Sequence, residues 1–157
     1  MTELNDRSLP ESGRLAGVDF GTVRIGLAVS DAQQSLASPL ETYTRRNEEL
    51  DAKYFINLVA NEKIVGIVIG LPVHMSGDES EKSAEARDFG RWLTEQTEVP
   101  VDWIDERYTT AFARDVLSQS GLSGKKRKAM LDKIAAQAIL STYLESDRTG
   151  GDPIPLD

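Results

Sequence analysis

The stretch from Arg14 to Ser30 reads RLAGVDFGTVRIGLAVS. Its first part, Arg14–Phe20, is a short apolar run that carries one carboxylate, Asp19, near its end. Gly21 and Thr22 supply a tight turn. The second part alternates: Ile25, Leu27 and Val29 fall on one side, and Gly26, Ala28 and Ser30 on the other, which is the period of a strand. Two strands this close in sequence pair as an antiparallel hairpin.

Working outward, Ser35–Thr44 reads as a third strand, and Pro39 suits an edge position. Glu48–Ala60 has the spacing of an amphipathic helix, with Leu50, Tyr54, Phe55, Leu58 and Val59 along one stripe. The run Val65–Ile69 is short and wholly apolar, as expected of a central parallel strand covered on both faces. A helix over about Ser80–Gln96 follows, with Ala86, Phe89 and Leu93 inward. Val101–Ile104 is the fifth strand, a helix capped by Thr109 or Thr110 runs to about Gln119, and Lys126–Leu144 is a long final helix. Short apolar strands joined by helices pair in parallel through right-handed crossovers. The expected architecture is α/β: a mixed five-stranded sheet, three antiparallel strands then parallel β-α-β units, flanked by helices. Residues 14–145 form the domain; residues 1–13 and 146–157, polar and aperiodic, read as flexible tails.

At 157 residues, 39% hydrophobic and 28% charged, the chain is long enough for one domain with a real core. It has no cysteine and one histidine, His74, which excludes disulfides, thiol chemistry and His/Cys zinc sites. No apolar run approaches the length of a membrane span, and the amino terminus lacks a signal-peptide pattern, so a cytoplasmic protein is expected. The net charge of −8 argues against global coating of nucleic acid. Each terminal stretch holds three acids and one base, which leaves −4 for the domain.

Three acids stand at boundaries between core and cleft. Asp19 ends an apolar strand, where a carboxylate is partly desolvated and needs a partner; capping of the Gly21-Thr22 turn is the simpler account. Glu106 follows Asp105 at the carboxyl end of the fifth strand, where open α/β sheets bind ligands, although an acidic turn there is ordinary. Asp132 shares a helix stripe with Ala136, Ile139 and Tyr143; the helix dipole favours an acid near the start but does not explain the face. An all-oxygen set without His or Cys selects Mg²⁺ or Mn²⁺, and a pair of such ions is suited to phosphodiester cleavage.

Four segments then resemble one family: GVDFGTVRIGLAVSD (17–31), VGIVIGLPVHMSG (65–77), IDERYTT (104–110) and LDKIAAQAILSTYLE (131–145). In this order and spacing they look like the signature segments of the YqgF/RuvX family, the Holliday junction resolvase-like proteins also described as pre-16S rRNA processing nucleases. The resemblance covers residues 14–145 and implies an RNase H-like fold and a carboxylate-dependent, divalent-metal nuclease. It maps the family's three acids onto Asp19, Glu106 and Asp132, as both catalytic residues and metal ligands. One departure is His74, which replaces the customary Asn of the G-L-P-x-N-M-x-G loop; it can contact a phosphate or relay a proton, or simply be an exposed loop residue.

Cations cluster near these acids. Arg24 follows the Asp19 turn, Arg107 follows Glu106, and Lys125, Lys126, Arg127 and Lys128 open the last helix, against its dipole. Thr109 and Thr110 begin a helix whose free N–H groups can hold a phosphate, or are plain caps. With His74, these are the expected nucleic-acid contacts. Structured RNA, ribosome precursors among it, or branched DNA is the expected partner, with the protein a monomer or homodimer and no membrane involved.

Two other readings compete. Asp19-Phe20-Gly21-Thr22 also resembles the phosphate hairpin of actin-like and sugar-kinase-like ATPases, but those close two related lobes on a nucleotide and the chain has room for one. The second is a non-catalytic RNase H-like module that binds nucleic acid or a transcription or ribosome component. Three costly acids without a metal role argue against it.

Overall fold

A computed structural model of the chain describes residues 9–72, 81–105 and 124–146. Five strands are present: β1 (Arg14–Asp19), β2 (Arg24–Ser30), β3 (Ala37–Thr44), β4 (Ile64–Leu71) and β5 (Val101–Asp105). Three helices are described: α1 (Glu48–Glu62), α2 (Glu81–Thr97) and α3 (Gly124–Glu145). The sheet order is β3-β2-β1-β4-β5. β1 pairs antiparallel with β2, and β2 with β3, while β1–β4 and β4–β5 are parallel. This is the expected mixed five-stranded sheet, and β3 with its Pro39 is at the edge. The helix expected from Thr109 to Gln119 lies outside the described residues.

Local chemistry explains the boundaries. Asn47 caps α1: its side-chain oxygen accepts from the Leu50 N–H at 2.8 Å, and Glu48, Glu49 and Asp51 place negative charge at the dipole's positive end. β3 starts at Ala37 rather than Ser35. The Asp31 carboxylate accepts from the Ser35 N–H at 2.7 Å, the Ser35 hydroxyl at 2.5 Å and the Leu36 N–H at 3.1 Å, so these residues close the β2–β3 loop onto Asp31 instead of extending the ladder.

The period-2 pattern sorts side chains to two cores. Ala16, Val18, Ile25, Leu27, Val29, Ile67 and Ile69 pack with Phe55 of α1 and Ala86, Phe89 and Leu93 of α2. Leu15, Ala28 and Val68 pack on the opposite face with Ala136, Ile139, Leu140 and Tyr143 of α3. The expected inner stripes of α2 and α3 are therefore the observed ones.

Part of the expected amino-terminal tail belongs to the domain. Leu9 is buried in the α3-side core, and the Gln34 side-chain amide donates to the carbonyls of Pro10 at 2.8 Å and Gly13 at 2.9 Å. One apolar side chain and two satisfied carbonyls bind residues 9–13 to the sheet. Among the described residues no helix is long and apolar enough to cross a membrane.

Candidate active site

The strand directions bring one rim of the sheet together. The carboxyl ends of β1, β4 and β5 and the start of β2 all lie there, because β2 alone of these runs antiparallel to β1. Asp19 closes β1 and stands opposite Gly26 of β2. Next to it, Val18 pairs with Ile69, so β1 ends beside Gly70 and Leu71 of β4, and Leu71 in turn pairs with Asp105 of β5.

Asp132 reaches this rim from α3. The helix backbone lies directly on the sheet at two glycines. A Cβ built on Gly26 would stand 1.9 Å from the Asp132 carbonyl oxygen, and one on Gly17 would stand 2.8 Å from the Ala136 carbonyl oxygen. Cross-strand partners share a face, so Asp19 projects on the side that α3 covers. The two acids, far apart in sequence, therefore occupy one face at one end of the sheet. The Thr42 hydroxyl donates to the Ala129 carbonyl at 2.5 Å and the Gln137 amide to the Ala37 carbonyl at 3.1 Å, which fixes α3 along β3 as well.

Arg24 opens β2 two residues before Gly26, on the same side. Its Nε donates to Oδ2 of Asp132 at 2.7 Å, and the two side chains are 38% and 18% exposed. The sequence alone points to Arg24 as a contact for nucleic acid; in the fold its guanidinium engages an expected metal ligand. Asp19 also borders a cleft of about 370 Å³ with Phe20, Gly21, Thr22, Gly70, Pro72, Lys82, Glu85 and Ala86. Nothing in the sequence singles out Lys82 and Glu85, on the first turns of α2; only the fold brings α2 over the end of β1.

Lys126, Arg127 and Lys128 are exposed on the first turns of α3, the helix that carries Asp132, and Lys125 lies in the same turn. Glu106, Arg107, Thr109, Thr110 and His74 lie outside the described residues. Among the described residues no three metal-ligating side chains gather into one group. Asp19 and Asp132 are the two expected ligands whose placement is described.

A second carboxylate behaves differently. Asp51 of α1 is buried, and it accepts from the Tyr43 hydroxyl at 2.6 Å, the Arg46 N–H at 2.9 Å and Arg45 Nε at 3.2 Å. Burial pushes its carboxyl up, but these donors outweigh that and hold it below its ordinary value. It shares a stripe with buried Phe55 one turn on, the same signal that singles out Asp132. Here the signal marks a structural hub: Arg45 stacks over Phe20 and Phe89, and Arg46 over Tyr43.

The profile of the RuvX family, described as Holliday junction resolvase, matches residues 13–146. A protein of Rhodopirellula baltica is 45% identical over 151 residues, 96% of this chain and 87% of its own length; one of Koribacter versatilis is 41% identical over 133 residues, 85% and 87%. Both are named "Putative pre-16S rRNA nuclease". Among solved structures, Thermus thermophilus RuvC in complex with a Holliday junction substrate aligns with a TM-score of 0.55 at 15% identity, covering 90% of this chain and 99% of that one. The yeast mitochondrial Holliday junction resolvase aligns with a TM-score of 0.52 at 10% identity, covering 91% and 82%. These likenesses establish the RNase H-like fold of the RuvC-type resolvases. With its family profile spanning the whole sheet and all the described helices, the chain belongs to the RuvX Holliday junction resolvase family.

Proposed function

We propose that the chain is a divalent-metal-dependent nuclease that hydrolyses phosphodiester bonds in structured nucleic acid. Processing of the 5′ end of pre-16S rRNA, in the cytoplasm, is the substrate reading we favour, from the names of its relatives, with junction resolution second. The observation that carries the chemistry is the placement of Asp19 and Asp132 on one face of one sheet rim through the close approach of α3 at Gly26.

The donor set fits a hard cation. Asp19 and Asp132 are both carboxylates, and Asp132 already holds a positive group at 2.7 Å. Asp19, Asp132 and Glu106 would hold Mg²⁺ or Mn²⁺, with two ions the expected number. Such an ion, when bound, supplies an activated water and a counter-charge for the departing oxygen. The chain's own residues do the rest. β1 and α3 fix the backbones that carry the two acids, which lowers the cost of orienting them for the chemical step. Lys82, which lines the cleft that Asp19 borders, and exposed Lys126, Arg127 and Lys128 on α3 would offer cations to the phosphates.

The test is cleavage of labelled precursor rRNA and a four-way DNA junction with Mg²⁺, Mn²⁺ or EDTA, for the wild type and Asp19→Asn. Metal-dependent cleavage lost in Asp19→Asn is expected. Cleavage that survives both chelation and the substitution overturns the reading, and the preferred substrate separates rRNA processing from junction resolution.

A further inference from the structure

The ion pair between Arg24 and Asp132 has the geometry of an exchangeable partner rather than a fixed strut. Both backbones are anchored. Arg24 is held in the β2–β3 ladder opposite Thr44, and Asp132 is held by the seating of its carbonyl over Gly26. What joins them is a single Nε–Oδ2 contact of 2.7 Å at the solvent edge, with Arg24 the more exposed of the two. Breaking it needs only a side-chain rotation, a nanosecond-scale event for an exposed residue. The Asp132 backbone keeps its place when that happens, because its seating over Gly26 does not depend on the arginine.

We infer that Arg24 competes with a divalent cation for Asp132, so that metal binding releases the Arg24 guanidinium toward the phosphate of the substrate. This rests on the metal-dependent reading above and adds a role for a residue that the sequence marks only as a nucleic-acid contact. Two positive groups cannot share Oδ2 at contact distance without strong repulsion. A guanidinium released there remains on the Asp19 face of the sheet, with its planar donor fork suited to a phosphate. The same charge thus serves Asp132 first and the substrate second, and metal and nucleic acid bind cooperatively.

The experiment titrates Mn²⁺ by calorimetry into the full chain as wild type, Arg24→Ala and Arg24→Lys, without nucleic acid. In parallel, the Arg24 Nε–H resonance is followed by NMR as Mg²⁺ is added to the wild type. Removing the competing cation should tighten Mn²⁺ binding about threefold in Arg24→Ala, the scale of one partly exposed ion pair. Arg24→Lys, which keeps the charge and guards against a folding defect, should change it less. The Nε–H resonance should shift as Mg²⁺ saturates. Mn²⁺ affinity unchanged in Arg24→Ala, or a resonance that stays in place at saturation, overturns the inference while leaving the metal reading intact. No Mn²⁺ binding to the wild type overturns both.

Discussion

Gly26 lies directly beneath Asp132: a β-carbon on the glycine would stand 1.9 Å from the aspartate's carbonyl oxygen. The obstructing atom is helix backbone, which has no rotamer to escape into. Gly26→Ala must therefore lift α3 from the sheet and carry Asp132 away from the Asp19 face. We expect a loss of about 1–3 kcal/mol, the usual cost of overpacking. Cleavage should fall further than the unfolded fraction explains. Denaturant melts beside cleavage rates on the same preparation check both.

Asp19→Asn separates chemistry from folding. The change is nearly isosteric and removes one negative charge from a rim that also carries Asp132. Metal-dependent cleavage should drop by at least roughly a hundredfold, because even an outer partner of a metal ligand is worth about ten- to a hundredfold. The melting temperature in EDTA should stay level or rise. A drop in both would assign Asp19 to the fold.

Asp51 sets an acid limb on stability. Its folded carboxyl titrates below the ordinary value of 3.8, so the unfolded chain takes up the proton more readily. The stabilisation is complete above pH 3.8 and is lost as the pH falls through the lower folded value. Asp51→Ala should cost about 3 kcal/mol at neutral pH, since it strands the Tyr43 hydroxyl and the Arg45 charge. It should also flatten the acid limb of the stability–pH curve measured in urea.

The basic start of α3 should act on binding and not on the chemical step. Replacing Lys125, Lys126 and Arg127 together with Ala should weaken junction or RNA binding and lower the slope of log affinity against log salt. The slope falls by about 0.9 for each duplex phosphate that the variant no longer neutralises. Filter binding across a salt series measures it; an unchanged slope places the run away from the nucleic acid.

The sequence by itself determined the order of the five strands and of the three described helices, the edge position of β3 and the inward stripes of α2 and α3. The edge follows from Pro39 and the rest from local periodicity, in elements long or apolar enough to show their period. It also singled out Asp19 and Asp132, because a carboxylate on an apolar strand end or helix stripe conflicts with its surroundings. That signal does not say what resolves the conflict. On Asp51 it marks a buried hub of Tyr43, Arg45 and Arg46; on Asp132 it marks the sheet rim beside Asp19. Only the tertiary structure decided between them, because the partners lie across the sheet and their meeting is a matter of register. Leu9 and the Arg24–Asp132 pair were hidden for the same reason: a pairing 108 residues apart leaves no trace in a local pattern. Gly17 and Gly26 present no side chain on the face of the sheet that α3 covers. Packing shows them to be the seats that let α3 bring its carboxylate down to the sheet.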